Sequence, residues 1–169
     1  NGLSSDSNEH ALLDGTGLKS QCSFNPQGTL VAIPVDCIVY IVDVDTKRSI
    51  VQLEGHGAVV TSVAFNPHRP QQLATASEDR SFKLWDVMNR CLLYQSSIVS
   101  MSPFTTLAFD PYRERLVVGS EDGKLRFYML TLPSRGTETT HVREERMIDV
   151  GTLLRKRAKL MTEKNTRRV

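Results

Sequence analysis

Three segments of this chain align on one another, and that repetition constrains its fold more than any other feature. They are residues 22–44 ("CSFNPQGTLVAIPVDCIVYIVDV"), 63–87 ("VAFNPHRPQQLATASEDRSFKLWDV") and 107–130 ("LAFDPYRERLVVGSEDGKLRFYML"). Phe24, Phe65 and Phe109 form one column, each followed by Asn-Pro or Asp-Pro. Asp36, Asp79 and Asp122 form a second, spaced 43 and 43, and six residues beyond each stands Val42, Trp85 or Tyr128. Chance does not produce three such columns. A chain with this period is built of small units that bury their apolar faces against one another.

Within each unit the local signals are β. Short runs such as 73–77 and 81–85 are rich in apolar, aromatic and β-branched residues and are punctuated by Asn-Pro, Glu-Asp and Asp-Gly turns. Proline cannot donate to a ladder, so Pro26, Pro67 and Pro111 should end the first strand of each unit. Further strands are expected at 49–53 and 91–95. Four antiparallel strands about every 43 residues is the pattern of a propeller blade. The fold class read from this is all-β: a partial propeller of about three four-stranded antiparallel blades, followed by a basic tail with helical periodicity.

The second unit opens with Gly55-His56, carries Asp79 in a turn and closes with Trp85-Asp86. On those residues and spacings the chain resembles the WD-repeat propeller family. The outer units are degenerate: Val42-Asp43 keeps only the aspartate and Tyr128-Met129 only an aromatic, while Gly55-His56 is reduced to Gly15-Thr16 in the first unit and is absent before the third. The resemblance covers residues 13–132, with units at 13–53, 54–96 and 97–132, between a flexible lead-in at 1–12, a linker at 133–142 and the basic tail at 143–169. It implies a job for the single tryptophan. In the family a strand hydroxyl, a histidine and a turn aspartate form a buried chain with the indole, here Trp85, Thr75 or Ser77, His56 and Asp79. An unpaired buried N–H costs about 1–3 kcal/mol, so such a chain would rivet the blade.

His56, Asp79 and Ser77 also have the residue types of a hydrolase triad. A triad needs an exposed nucleophile and an oxyanion hole, and no nucleophile elbow or Gly-rich oxyanion loop is present, so the structural reading is preferred and no enzyme activity is expected. Ser-Glu-Asp at 77–79 and 120–122 reads as tight-turn chemistry, because a calcium site would need about five or more oxygen ligands in one loop. No metal or cofactor is called for. In propellers the loops joining second and third strands share a rim with those entering the inner strand. Ala58, Val59, Glu78, Arg80, Phe104, Thr105 and Glu121 are therefore candidates for a partner-binding face on a protein–protein interaction scaffold.

Three cysteines, Cys22, Cys37 and Cys91, match no metal-ligand spacing and their odd number opposes a disulfide framework. Each lies in a strand-like run and is expected to be a buried thiol in a reducing compartment, cytosol or nucleus. No apolar run approaches a membrane span. The net charge of +2 hides an asymmetry: residues 152–169 hold seven Lys and Arg against one Glu. Arg155, Lys156, Arg157 and Lys159 resemble a short nuclear-import signal. Met147, Val150, Leu154, Ala158 and Met161 can share one helical face, with Glu144 and Glu145 near its start. Nucleic-acid binding through this tail is the second functional reading. Three units are fewer than a ring needs, and Ile38, Val39, Tyr40, Ile41 and Val42 are too apolar for a cap. The remaining blades of a larger propeller, or another chain, are thus expected as partners.

Overall fold

The computed structural model describes residues 20–98, 100–131 and 140–166. Among these residues twelve strands form three sheets, and one helix follows. Blade 1 is the meander of β1 (Ser23–Phe24), β2 (Leu30–Val35), β3 (Ile38–Asp43) and β4 (Ser49–Leu53). Blade 2 contains β5 (Val60–Asn66), β6 (Arg69–Ser77), β7 (Phe82–Asp86) and β8 (Cys91–Gln95). Blade 3 contains β9 (Phe104–Phe109), β10 (Arg115–Ser120), β11 (Lys124–Thr131) and β12 (His141–Asp149), and α1 (Val150–Thr166) leaves its last strand. The fold class is that of the sequence reading, three four-stranded antiparallel blades with a helical basic tail.

The Asn/Asp-Pro column explains where the inner strands stop. Proline ends the ladder, and the residue before it accepts from backbone N–H groups of the turn. Asn25 Oδ1 accepts from the amides of Thr29 and Leu30 (2.8 and 2.9 Å), Asn66 Oδ1 from His68 (2.9 Å) and Asp110 Oδ1 from Tyr112 (2.8 Å).

Alternation then gives each blade a front face, toward the following blade, and a back face, toward the preceding one. The front of blade 1, with Ala32, Val39 and Ile41, packs into one core with Phe65, Leu73 and Trp85 from the back of blade 2. The front of blade 2, with Ala74, Phe82 and Leu84, shares a second core with Phe104, Leu116 and Tyr128 from the back of blade 3. Blade 2 is covered on both sides, so Leu73, Ala74, Phe82 and Leu84 have no exposed surface. Burying each of the larger three, Leu73, Phe82 and Leu84, contributes about 1.5–3 kcal/mol. Hydroxyls stitch the inner strands across both junctions. Ser20 Oγ donates to the Val60 carbonyl (2.6 Å), and Thr61 Oγ1, four residues before the Phe column as Ser20 is, donates to the Phe104 carbonyl (2.7 Å).

Several expectations are corrected. The third blade does not end at 132: His141–Asp149 is its fourth strand, paired along β11 from Thr131↔His141 to Lys124↔Asp149. Residues 141–142 are therefore not linker, and Glu144, Glu145 and Met147 lie in that strand rather than on the tail helix. The helix begins at Val150, where Asp149 Oδ1 accepts from the Thr152 amide (2.9 Å) as an N-cap. Cys22, Cys37 and Cys91 are exposed, not buried: they sit before β1, in the β2–β3 turn and on the outermost strand of blade 2. The lead-in at 1–12, Gly15-Thr16 and residues 133–139 of the linker lie outside the described residues.

Candidate functional site

The hydrogen-bonded chain on the back of blade 2 is built by strand pairing. Leu73 pairs with Trp85 and Thr75 with Lys83, which puts Thr75 one diagonal step from the indole on the same face. Trp85 Nε1–H donates to Thr75 Oγ1 (2.9 Å), and Thr75 Oγ1 lies 2.7 Å from His56 Nε2. His56 Nδ1 lies 2.7 Å from Asp79 Oδ2. One proton assignment satisfies every member. The indole donates to the threonine oxygen, the threonine hydroxyl donates to Nε2, and Nδ1–H donates to the carboxylate. Of the two hydroxyls offered by the sequence, Thr75 occupies this place. Ser77 lies one step nearer the turn, donates to the Ala58 carbonyl (3.0 Å) and accepts from the Asp79 amide (3.1 Å).

Electrostatics agree with that assignment. Burial holds His56 below the ordinary imidazole range, against the opposing pull of the Asp79 carboxylate. The contact with Asp79 is thus a neutral imidazole donating to a carboxylate rather than an ion pair. Burial alone would raise Asp79, but hydrogen bonds from Ser81, His56 and the Gly57 amide outweigh it and hold the carboxyl at about 2. Ser81 gives that carboxylate both its amide (2.8 Å) and its hydroxyl (2.6 Å). Gly55, at φ 138°, brings the backbone against the indole: a Cβ there would meet Trp85 Cη2 at 3.4 Å. Every group of the would-be triad is engaged inside the blade, and Ser77 is fully buried. Among the described residues no cluster of His, Cys, Asp or Glu could hold a metal ion.

The rim is the exposed part. The meander puts the β2–β3, β6–β7 and β10–β11 turns on the same side as the loops entering β5 and β9. Glu78 and Glu121 are exposed there, and Ala58, Val59 and Arg80 half-exposed. Turn amides hold the loops: Glu78 N–H donates to Val59 O (2.9 Å) and Glu121 N–H to Pro103 O (3.0 Å). In the β10–β11 turn Lys124 and then Ser120 hold Asp122 at about 2. Phe104 does not belong to this face. It is fully buried between Phe82 and the Arg126 guanidinium, so no partner reaches it. Thr105 is exposed, but on the inner strand of blade 3. Two apolar residues at the rim escaped the sequence reading, Ile98 (63% exposed) and Met101 (89% exposed). Their signal was the group of apolar residues Ile98, Val99 and Met101 among the serines between Gln95 and Phe104. On the opposite rim a groove of about 420 Å³ is lined by His68, Arg69, Asp86 and Leu93 among others. In the tail, Arg155, Lys156, Arg157 and Lys159 are all exposed on α1, as are Leu153 and Leu154. No helix among the described residues is long and apolar enough to cross a membrane.

Residues 47–86 and 95–128 match the family described as "WD domain, G-beta repeat". Among curated proteins, the chain is 36% identical over 108 residues to the retinoblastoma-binding-like protein E of Dictyostelium discoideum, covering 61% of this chain and 20% of that protein. It is 27% identical over 89 residues to the nucleoporin Nup37 of Mus musculus, covering 52% of this chain and 26% of the nucleoporin. Among solved structures, a chain of the mitotic checkpoint complex superposes with a TM-score of 0.63 at 19% identity, covering 76% of this chain and 40% of that one. The chain thus spans roughly a fifth to a quarter of the length of these curated relatives.

Proposed function

The chain belongs to the WD-repeat family, and we propose that it works by binding, as a non-catalytic protein–protein interaction scaffold whose contact surface is the loop rim. The observation that carries this reading is the division of labour in blade 2. His56, Thr75, Asp79 and Trp85 spend their hydrogen bonds on one another, whereas Glu78, Arg80 and Met101 stand exposed or half-exposed on loops fastened to a rigid frame. Rigid β supports that present polar loops with isolated apolar anchors suit recognition of a folded protein or a peptide. Relatives named for retinoblastoma binding and for the nuclear pore are in keeping with binding in nucleus or cytoplasm. The test is an affinity capture with mass-spectrometric identification, comparing the full chain with a variant carrying Glu78→Ala, Arg80→Ala and Met101→Ser. Proteins captured by the first and lost by the second, at unchanged melting temperature, support the rim; identical capture lists refute it.

A second reading rests on a separate observation, the four exposed cations of α1, a helix with no acidic residue in its first turn. It is that the tail contacts nucleic-acid phosphates, or is read by an import receptor. Phosphate binding would weaken steeply with salt, by about 10³-fold or more between 50 and 200 mM if six or more phosphates are engaged. A short duplex titrated at both salt concentrations measures this. For import, a tagged chain with Arg155, Lys156, Arg157 and Lys159 changed to Ala should leave the nucleus. An unchanged distribution removes that role.

A further inference from the structure

We infer that Ser102, on the loop that joins β8 to β9, is a phosphorylation site for a proline-directed protein kinase. The loop lies on the rim between two formed blades rather than on an end face.

The sequence picks out one dipeptide. Of the seven prolines, only Pro103 follows a serine or threonine. Kinases of this class accept a hydroxyl residue followed by proline because proline brings no backbone N–H. An ordinary amide there would be left unpaired in the enzyme's apolar site. Proline also keeps the residue before it out of helical backbone, and residues 100–103 belong to no helix or strand.

The structure then separates the serines of this loop. Ser96 is buried, and its hydroxyl accepts from the Phe82 amide (3.0 Å). Ser100 is buried too, and its hydroxyl accepts from the Ser102 amide (3.2 Å). Counted back from Thr105 and Thr61, Ser100 stands where His56 stands in blade 2. Ser102 is half-exposed, and among the described residues its own hydroxyl has no hydrogen-bond partner. Ser97 is exposed as well but precedes Ile98. Ser102 is held on both sides, by the bond to Ser100 and by Pro103 O, which accepts from Glu121 N–H (3.0 Å). Met101 before it is 89% exposed and Phe104 after Pro103 is fully buried, so the stretch a kinase can reach runs from Met101 to Pro103.

The transfer needs the kinase and a nucleoside triphosphate. Ser102 Oγ attacks the γ-phosphorus, the bond from that phosphorus to the bridging oxygen of the β-phosphate breaks, and the nucleoside diphosphate leaves with the electron pair. The hydroxyl proton passes to the kinase's catalytic carboxylate. The product carries about −1.5 to −2 charges at pH 7 in place of a neutral hydroxyl, next to the most exposed apolar side chain of the rim. A partner that seats Met101 in an apolar pocket would have to strip water from that phosphate, which opposes binding. This consequence rests on the rim-binding reading; the modification itself does not.

The test incubates the folded full chain with a proline-directed protein kinase and ATP and maps the product by mass spectrometry. The full chain should gain a single phosphoryl group, on Ser102. Ser102→Ala should gain none, Ser102→Thr should keep the label and Pro103→Ala should lose most of it, with thermal melts showing that each variant is folded. An unlabelled folded chain, a label on another residue, a label that appears only after unfolding in urea, or full labelling of Pro103→Ala would each overturn the inference. In the affinity capture, the phosphorylated chain should lose the proteins that the Glu78, Arg80 and Met101 variant loses. Proteins lost by that variant but kept after phosphorylation would overturn the consequence at the rim.

Discussion

Blades 1 and 2 repeat the same frame and hold it by different physics. In blade 2 the column position is Trp85, tied through Thr75 and His56 to Asp79 and covered on both sides. In blade 1 the corresponding residues are Val42 and Ile33, whose side chains have no polar atom to satisfy, and both are half-buried. A polar network fixes one arrangement because every member must be paired; an apolar face can be covered by anything of the right shape. Blade 3 is a third solution, with Tyr128 in the column and a buried Arg126 donating to Ser120 Oγ (3.1 Å). Burial, then the nearby Glu144 carboxylate, pushes its phenol above the ordinary range.

The sharpest way to break the comparison is truncation in the shared column. Trp85→Ala removes a large buried ring and the donor at once and should cost about 3–5 kcal/mol. Val42→Ala removes part of a half-exposed side chain and should cost about 1 kcal/mol or less. Urea melts of both variants measure the ratio, and comparable losses would mean that the network adds nothing to blade 2.

Next in size are the relay residues. His56→Ala and Thr75→Val should each cost about 1–3 kcal/mol, because each leaves a buried partner unpaired. The double variant should cost clearly less than the sum, since both act in one chain. Additive losses in a double-mutant cycle would separate the two residues energetically.

The relay also gives blade 2 a pH dependence of its own. A folded His56 depressed below 6.5 binds its proton less readily than the unfolded chain does, so stability is complete above about 6.5 and declines as pH falls below it. Asp79, at about 2 folded against 3.8 unfolded, adds a second decline between those values. Chemical melts from pH 7.5 to 5 should show the first decline in wild type and a flatter profile in His56→Ala. Equal slopes would place the titration on another group.

Much of this difference was legible before any coordinates. The Phe and Asn/Asp-Pro columns located inner strands and their ends, and Gly55-His56, Asp79 and Trp85-Asp86 located the relay, because those residues do local or paired work that few others can do. Counting was less reliable where loop length varies. Val35 pairs with Ile38 in blade 1, whereas the last pair of the blade 2 hairpin is Ala76 with Phe82. In that tighter turn Asp36 takes the left-handed conformation (φ 51°) that Arg80 and Gly123 take in the others. Strand β12 was not legible because an outermost strand needs only its backbone to pair, and Arg143, Glu144, Glu145 and Arg146 carry no β signature. The cysteines and Phe104 were misplaced for a related reason: a short apolar run does not reveal which strand is outermost or where a loop ends and a strand begins.

The smallest effect should come from removing the tail. Among the described side chains of α1 beyond Val150, Thr152 is tied to the end of β12 by the Asp149 cap (2.9 Å), while Val150 N–H, bonded to the Gly123 carbonyl (3.0 Å), lies just before the cut. Leu153 and Leu154 are 52% and 61% exposed, so they bury little area against any strand. An exposed cap contributes about 1 kcal/mol to its own helix and nothing to a sheet that persists without it. Deleting residues 151–169 should therefore leave the β melting transition within about 2 °C of the full chain, whereas Trp85→Ala lowers it by many degrees. Calorimetry of the two chains decides the matter: a large drop on deletion would mean that α1 is packed against a blade and belongs to the frame.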